Sequence, residues 1–141
     1  MRYSEQRHKT HTPDSCRAFV QGHASAGNNL WALEVIDQGH RHIGNISASY
    51  DRNNGLADIG IMIGASGCQG QGYGQAAWDG ALHWLQSDPS LHKITGGCLA
   101  PNGAMKKIMQ RAAMQPDGVR TAHYLVAGTA VDMVYFAWRR L

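Results

Sequence analysis

The feature that most constrains this chain is a cluster of five glycines within the eleven residues 64–74. A segment of strand-forming residues, 57–63, precedes the cluster, and a segment with apolar residues at helical spacing, 73–86, follows it. Glycine allows tight turns and close approach of a ligand to the backbone, and the first amides of a helix attract anions because they lack intrahelical partners. The cluster therefore predicts a phosphate-binding loop between a strand and a helix; a tight turn that holds no ligand is the alternative.

The pattern around this loop predicts a mixed α/β (α+β) fold, with a mostly antiparallel sheet and one β-α-β crossover in the middle of the chain. Thr12 and Pro13 mark the start of a first helix that extends to about Ala26. A third helix follows Asn102, and residues 115–118 are predicted as a turn. The predicted strands are residues 30–36, 42–50, 57–63, 93–99, 119–126 and 131–138.

Length and composition limit the class of protein. The length of 141 residues predicts one domain over 1–141. Disordered chains are polar and highly charged, so a charged fraction of only 16% excludes this class. The apolar runs are too short for a membrane helix, and the polar N-terminus does not resemble a signal peptide. A net charge of +3 permits an anionic ligand but does not by itself predict nucleic-acid binding. The three cysteines are far apart in the sequence, which favours the reducing cytoplasm over a disulfide-bonded secreted protein.

Two familiar phosphate-binding patterns do not fit the loop. A Walker A loop needs a lysine, and none occurs between Gly64 and Gly74. The residues Gly72, Gly74 and Ala77 match the spacing of the dinucleotide fingerprint. That fingerprint belongs to an early βαβ unit with an acidic residue about 20 residues further on, whereas here three antiparallel strands come first and the next strand ends without an acid. We therefore interpret this match as accidental.

A third pattern, Gln/Arg-x-x-Gly-x-Gly/Ala, does fit, through the run Gln69-Gly70-Gln71-Gly72-Tyr73-Gly74. The chain resembles the GNAT superfamily of N-acetyltransferases in three features: this motif, the strand before it, and Asn102, an asparagine that opens a helix just after a strand. The resemblance is greatest to the branch of ribosomal-protein N-terminal and nucleotide-sugar N-acetyltransferases, and it covers residues 12–139.

The resemblance implies that acetyl-CoA binds at a V-shaped split between the strands 57–63 and 93–99. The pantetheine arm would pair with the backbone of the first of these strands, and the pyrophosphate would lie on the amides of the glycine loop. Lys106 and Lys107 would meet the phosphates of the adenosine, although an exposed helix face explains them equally well. The residues assigned in this way to acetyl-CoA are Ile61, Met62, Ile63, Gln69, Gly70, Gln71, Gly72, Tyr73, Gly74, Asn102 and Lys107.

The resemblance also implies direct attack of an amine on the thioester, assisted by a base and an acid. Asp58 is the acidic residue on the strands that line the split, and Glu34 on a neighbouring strand is the other candidate base. A structural role for Asp58, at a turn or beside an arginine, is the alternative. A tyrosine often acts as the general acid in this family. The corresponding residue here is Met109, so Tyr135, Tyr124 or water would have to provide the proton.

Other reactive side chains have simpler explanations. His40 and His42 lack a third ligand nearby, so we expect no metal site. Cys98 ends a strand beside the split, where a core cysteine is a more common finding than a nucleophile. Cys68 lies in the glycine loop, and a position near a helix N-terminus favours reactivity.

The chain departs from the family at its start, because a further strand and helix would have to precede residue 12. The N-terminal strand is therefore expected to be missing, which leaves 30–36 as an unpaired edge and predicts a possible homodimer that covers it. Two other functions stay open: an acyl-CoA-binding protein that has lost catalysis, and a nucleic-acid-binding module. The second would use the basic residues Lys106, Lys107, Arg111, Arg139 and Arg140.

Overall fold

A computed structural model describes residues 3–4, 8–65 and 67–141 of the protein. The chain forms three α-helices and six strands within these residues, together with a short 3-10 turn at Ile36–Gln38. In order, the elements are α1 (Pro13–Ser25), β1 (Asn29–Val35), β2 (Arg41–Asp51), β3 (Leu56–Ile63), α2 (Tyr73–Gln86), β4 (Lys93–Leu99), α3 (Gly103–Arg111), β5 (Gln115–Val126) and β6 (Thr129–Arg139).

The strands form one sheet in the order β1-β2-β3-β4-β6-β5. Every neighbouring pair is antiparallel except β3 and β4, which are parallel because α2 returns the chain to the same end of the sheet. This arrangement confirms the mixed fold with a central β-α-β crossover. In the described part of the chain, β1 is the first strand and lies at one edge.

The parallel pair β3–β4 is joined along only half of its length. The paired residues run from Leu56 opposite Lys93 to Ile59 opposite Gly96, and the register ends there. Beyond this point residues 60–63 stay paired to β2, while 97–99 stay paired to β6. The two strands therefore diverge, which confirms the expected V-shaped split.

One face of the sheet carries the hydrophobic core. Helices α2 and α3 cover this face, and Trp78, Leu85 and Met109 are among the fully buried side chains there. A Cβ atom built at Gly96 would lie 2.6 Å from Cη2 of Trp78. Glycine at this position therefore lets the indole ring lie directly against β4.

Helix α1 lies over the opposite face, against β1. Its N-terminus is closed by a capping box, in which the Thr12 and Ser15 side chains each accept a hydrogen bond from the other's backbone amide. No residue of α1 is buried, and Phe19 and Val20 remain 43% and 55% exposed. The sequence pattern places apolar residues on one face of this helix, but that face is not packed into a core.

The sequence-based prediction was wrong at residues 115–118. Pro116 and Gly118 are typical of a turn, yet β5 already begins at Gln115 and has a bulge between these two residues. A proline is tolerated there because β5 is an edge strand. The turn of this hairpin is Ala127-Gly128, where both φ angles are positive, which confirms the prediction that the last two strands are joined at Gly128.

Candidate active site

A cavity of about 730 Å³ opens at the split between β3 and β4. Its floor is formed by β3 from Asp58 to Ile63 and by the three residues of β4 that follow Gly96. Phe19 of α1 and Leu30 of β1 form one wall, while Met133 and Tyr135 of β6 lie on the other side. The cavity therefore joins the split to the space beneath α1.

The glycine loop leads from β3 to the N-terminus of α2 and lines this cavity through Gln69. Gly67, Gly70 and Gly72 adopt left-handed φ angles of +77°, +73° and +81°, which side chains strongly disfavour. Gly72 is the N-cap of α2 and provides no capping side chain. The helix, described over its whole length, has no acidic residue in its first turn. Its first amides are therefore available to an anion.

The other loop residues take different positions. Gln69 lines the cavity, whereas Gly70 and Gln71 are exposed and do not line it. Tyr73 packs against a small cluster around buried Cys68, whose sulfur accepts a hydrogen bond from Arg41 at 3.0 Å. This cluster fixes the loop to the upper ends of β1 and β2.

The first turn of α2 lies close to both neighbouring elements. A Cβ built at Gly74 would be 3.1 Å from the Ile108 side chain of α3 and 3.6 Å from that of Ile63. Ile61, Met62 and Ile63 are half-buried, and all three line the cavity. The residues expected to contact the pantetheine arm therefore lie in one line below the helix N-terminus.

Asp58 and Tyr135 lie near the vertex of the split, on the face that α1 covers. Asp58 is directly opposite Thr95 of β4, whose hydroxyl donates a hydrogen bond of 2.5 Å to the Asp58 carboxylate. Tyr135 is opposite Gly97, the first residue of β4 beyond the paired region. A Cβ at Gly97 would lie 2.9 Å from the Tyr135 ring, so this glycine allows the ring to lie across the strand.

Glu34 does not line this cavity. A register shift between Leu33 and Glu34 interrupts the pairing of β1 with β2, and the exposed Glu34 carboxylate instead lies 3.3 Å from His40. Of the four residues considered for proton transfer, the structure thus brings Asp58 and Tyr135 to one cavity, whereas Glu34 and Tyr124 do not line it.

Comparison with known proteins gives the family. The model of the GNAT acetyltransferase domain matches residues 1–115 of the sequence, more than half of the chain. The chain belongs to the GNAT acetyltransferase family. A search among curated proteins finds no match. The expected fold, the acetyltransferase class and acetyl-CoA as the acetyl donor are confirmed at the level of the family.

Solved structures of other GNAT enzymes share the fold. RimL, a ribosomal L7/L12 alpha-N-protein acetyltransferase solved with coenzyme A, is 16% identical with a TM-score of 0.86, over 98% of this chain and 78% of that one. Spermidine N-acetyltransferase from Vibrio cholerae, solved with CoA and spermine, is 17% identical with a TM-score of 0.81, over 92% and 76%. A GNAT acetyltransferase from Bacillus anthracis is 20% identical with a TM-score of 0.77, over 94% and 77%.

Asn102 and Lys107 occupy different surroundings in this GNAT domain. Asn102 lines the cavity and is the N-cap of α3, where its side-chain oxygen accepts the Met105 amide at 3.1 Å. Lys107 is exposed on α3 and does not line the cavity. The structure thus gives Asn102 a structural role at the wall of the site and leaves Lys107 on the outer surface.

Several residues that line the cavity were missed from the sequence. Polar residues at every second position of β2, Asn45 and Ser47, mark its polar face, and this alternation is the signal that could have revealed them. Ser47 donates a long hydrogen bond of 3.4 Å to the carbonyl of Gly60 on β3. Leu30 is directly opposite Ser47, which places it on the same face.

Two sulfur-containing side chains near the site, those of Met109 and Cys98, are buried. Met109, to which the resemblance assigns the position of the family's tyrosine, is completely buried in the core. Burial raises the pKa of the Cys98 thiol to about 11, although nearby Lys106 partly opposes this effect. Cys98 is therefore a neutral thiol near pH 7. Among the described residues, no three histidine, cysteine or acidic side chains are grouped as a metal site would require.

Two basic residues considered for nucleic-acid binding are engaged within the protein. Arg139 forms an ion pair with Asp117. The Arg140 guanidinium donates hydrogen bonds to the carbonyls of Gln86, Asp88 and Leu91, after the end of α2. None of the described helices is long and apolar enough to cross a membrane.

Proposed function

We propose that this chain acts as a single domain that transfers the acetyl group of acetyl-CoA to a primary amine. One observation carries the proposal: the glycine loop that leads into the uncapped N-terminus of α2 contributes Gln69 to the same cavity that the unpaired upper half of β3 lines. An anion site and an unpaired strand edge are the two features that a pyrophosphate and its pantetheine arm require.

In this binding mode the pyrophosphate contacts the amides at residues 69–74. The pantetheine arm then runs along Ile63, Met62 and Ile61 toward the vertex of the split. Asn102 contacts the arm from the wall opposite β3. Lys107 contributes at most through its charge, because it is exposed at the outer surface of α3.

Asp58 is the proposed base and Tyr135 the proposed acid. The amine nitrogen attacks the thioester carbonyl carbon, the carbon–sulfur bond breaks, and the amide product and CoA leave. Asp58 takes the proton that the amine loses, directly or through water, and Tyr135 provides the proton for the departing sulfur. The hydrogen bond from Thr95 holds the carboxylate at the vertex, where these transfers occur.

The acceptor class follows from the family only in outline. RimL acts on a protein N-terminus, and the Vibrio cholerae enzyme acts on spermidine. A small amine, an amino sugar and a protein N-terminus are therefore all possible acceptors on family grounds. Because its three cysteines are free, we place the enzyme in the reducing cytoplasm.

The test compares Gly72→Asp with Gly72→Asn in acetyl-CoA binding by calorimetry. Asn and Asp both tolerate the left-handed conformation and have the same size, so the pair differs only in charge. We expect Gly72→Asp to bind acetyl-CoA at least about tenfold more weakly than Gly72→Asn, because its carboxylate repels the pyrophosphate. Equal affinities for the two variants would refute the proposed pyrophosphate site.

Release of CoA thiol with a panel of amines tests the chemistry itself. Wild-type protein that binds acetyl-CoA but releases no thiol with any amine would instead be an acyl-CoA-binding protein without catalysis.

We also propose that a second copy of the chain covers the edge strand β1, since an unpaired edge invites pairing. The expected state is a homodimer. A stable monomer at high micromolar concentration in light scattering would contradict it.

A further inference from the structure

We propose that the acceptor is a small primary monoamine on an uncharged, apolar body, such as an arylalkylamine. This inference rests on the proposed acetyl transfer and narrows its acceptor. It excludes phosphorylated amino sugars and polyamines as the preferred acceptors. Three features of the cavity support it: its charge, its apolar wall and the neutral amide of Asn45 in its lining.

The first feature is charge. Among the described residues that line the cavity, Asp58 is the single charged side chain. A phosphorylated or nucleotide-linked acceptor needs arginine or lysine partners, and the described lining contains neither. A polyamine carries further ammonium groups that need further carboxylates. One carboxylate matches one ammonium group.

A cation outside the lining points the same way. The Arg120 guanidinium lies over the Tyr135 ring, 5.3 Å from the ring centre. It therefore adds positive charge on the Tyr135 side of the cavity. A second ammonium group on the acceptor would be repelled there, whereas an uncharged body would not.

The second feature is the wall formed by α1. Phe19 and Leu30 face the cavity together, with Met133 on the opposite side. Phe19 is 43% exposed, and the helix that carries it buries no residue. An apolar acceptor body would cover this ring and remove it from water, which a sugar or a hydrated polyamine would not do as favourably.

The third feature is Asn45, which lines the cavity opposite Met62, four residues before Ser49, the residue opposite Asp58. Nε2 of His42 lies 2.7 Å from the Gly44 carbonyl and 3.0 Å from Oδ1 of Asn45. Because a carbonyl can only accept, Nε2 carries the hydrogen and donates to both oxygens. Asn45 thus adds a neutral amide, held in place, to the lining of the cavity on the glycine-loop side of Asp58, where a second ammonium group of a polyamine would need a carboxylate.

The first experiment measures kcat/KM at saturating acetyl-CoA for four acceptors. These are 2-phenylethylamine, spermidine, glucosamine 6-phosphate and a tetrapeptide with a free N-terminus. We expect 2-phenylethylamine to exceed each of the others at least tenfold. A preference for any of the other three would overturn this inference but leave acetyl transfer intact. Bound acetyl-CoA with no turnover of any amine would overturn the proposed function, and this inference with it.

The second experiment uses matched variants of α1. Phe19→Ala should raise KM for 2-phenylethylamine about tenfold and leave acetyl-CoA affinity unchanged. Val20→Ala is the control, because Val20 is a similarly exposed apolar residue of the same helix that does not line the cavity. Equal KM values for the two variants would overturn the role of the apolar wall.

A gain of function completes the test. Asn45→Asp adds a second carboxylate to the lining of the cavity. It should raise the kcat/KM ratio of spermidine to 2-phenylethylamine at least fivefold. An unchanged ratio would overturn the argument from charge.

Discussion

Two adjacent glycines of β4 lie on opposite faces of the sheet; one face carries the hydrophobic core and the other lines the cavity. Gly96 faces α2 and α3, where Trp78 fills the space above it. Gly97 faces the α1 side, where Tyr135 and Met133 approach it at the edge of the cavity. The helix-covered face is closely packed, whereas the α1 face is loosely covered and lined by polar groups. Substitutions on the first face should therefore cost stability, and those on the second should cost activity.

The largest effect is expected on the α1 face. If Asp58 is the base, Asp58→Asn should lower kcat by about 10²–10⁴ and leave acetyl-CoA affinity nearly unchanged. The amide cannot take up the proton that the amine loses, so the loss should fall on the chemical step and not on the binding of acetyl-CoA. Steady-state kinetics measures the first effect and calorimetry the second.

Glu34→Gln is the matched control for this carboxylate. Because Glu34 lies outside the cavity, its loss should leave kcat unchanged. A large fall in kcat for Glu34→Gln, with Asp58→Asn nearly normal, would assign the base to the other strand.

The next effect concerns Gly97. In Gly97→Ala the new methyl group would lie 2.9 Å from Tyr135 ring atoms and from the Met133 methyl, so the ring must move. A displacement of this kind at a catalytic group lowers kcat about tenfold to a hundredfold. Single-turnover rates measured on folded protein test this. If kcat is unchanged, Tyr135 is not the acid.

Gly96→Ala is the counterpart on the packed face. Its methyl group would lie 2.6 Å and 2.7 Å from two carbons of the Trp78 ring, which is closed in by the core. Overpacking of this kind lowers the free energy of unfolding by about 1–3 kcal/mol. Urea denaturation measures this loss, and kcat of the folded fraction should stay close to wild type. A variant as stable as wild type would show that the core can rearrange to accommodate the added methyl group.

The smallest effect is expected for Cys98→Ala, since the pKa of about 11 keeps this thiol neutral in the ordinary working range. Activity should remain within about threefold of wild type, because a neutral, buried thiol is a poor nucleophile. In the wild-type protein, iodoacetamide should modify exposed Cys16 before Cys98, and the Cys98 rate should rise with pH toward 11. Complete loss of activity in Cys98→Ala would give the thiol a catalytic role.

Local patterns were enough to predict much of this fold. Helix α2 and strand β4 have the same bounds that the periodicity predicts, Tyr73–Gln86 and Lys93–Leu99. Both are bounded by clear breaks, a left-handed Gly72 before α2 and the segment after Gln86 that leads to β4. Pro116 misled the prediction because an edge strand accepts a proline that a central strand would reject.

The site was less accessible to such reasoning. Alternation along β3 correctly places Asp58 on the polar face, but only the order of β3, β4 and β6 brings Tyr135 beside it. The register shift before Glu34 depends on the pairing of two strands, and no residue pattern in β1 predicts it. Contacts that depend on strand order and register cannot be predicted from the residues of any one segment.

The early end of β3–β4 pairing has a consequence for solvent exchange. Above Ile59, alternate backbone amides of β3 point toward β4 but have no partner on it. Such amides exchange their hydrogens readily with water, while those that point toward β2 are protected by the continuous ladder. Along one strand, fast and slow exchange should therefore alternate residue by residue. A ligand that lies along this edge would slow exchange at the fast amides alone, and the amides that become protected would show where it binds on the strand.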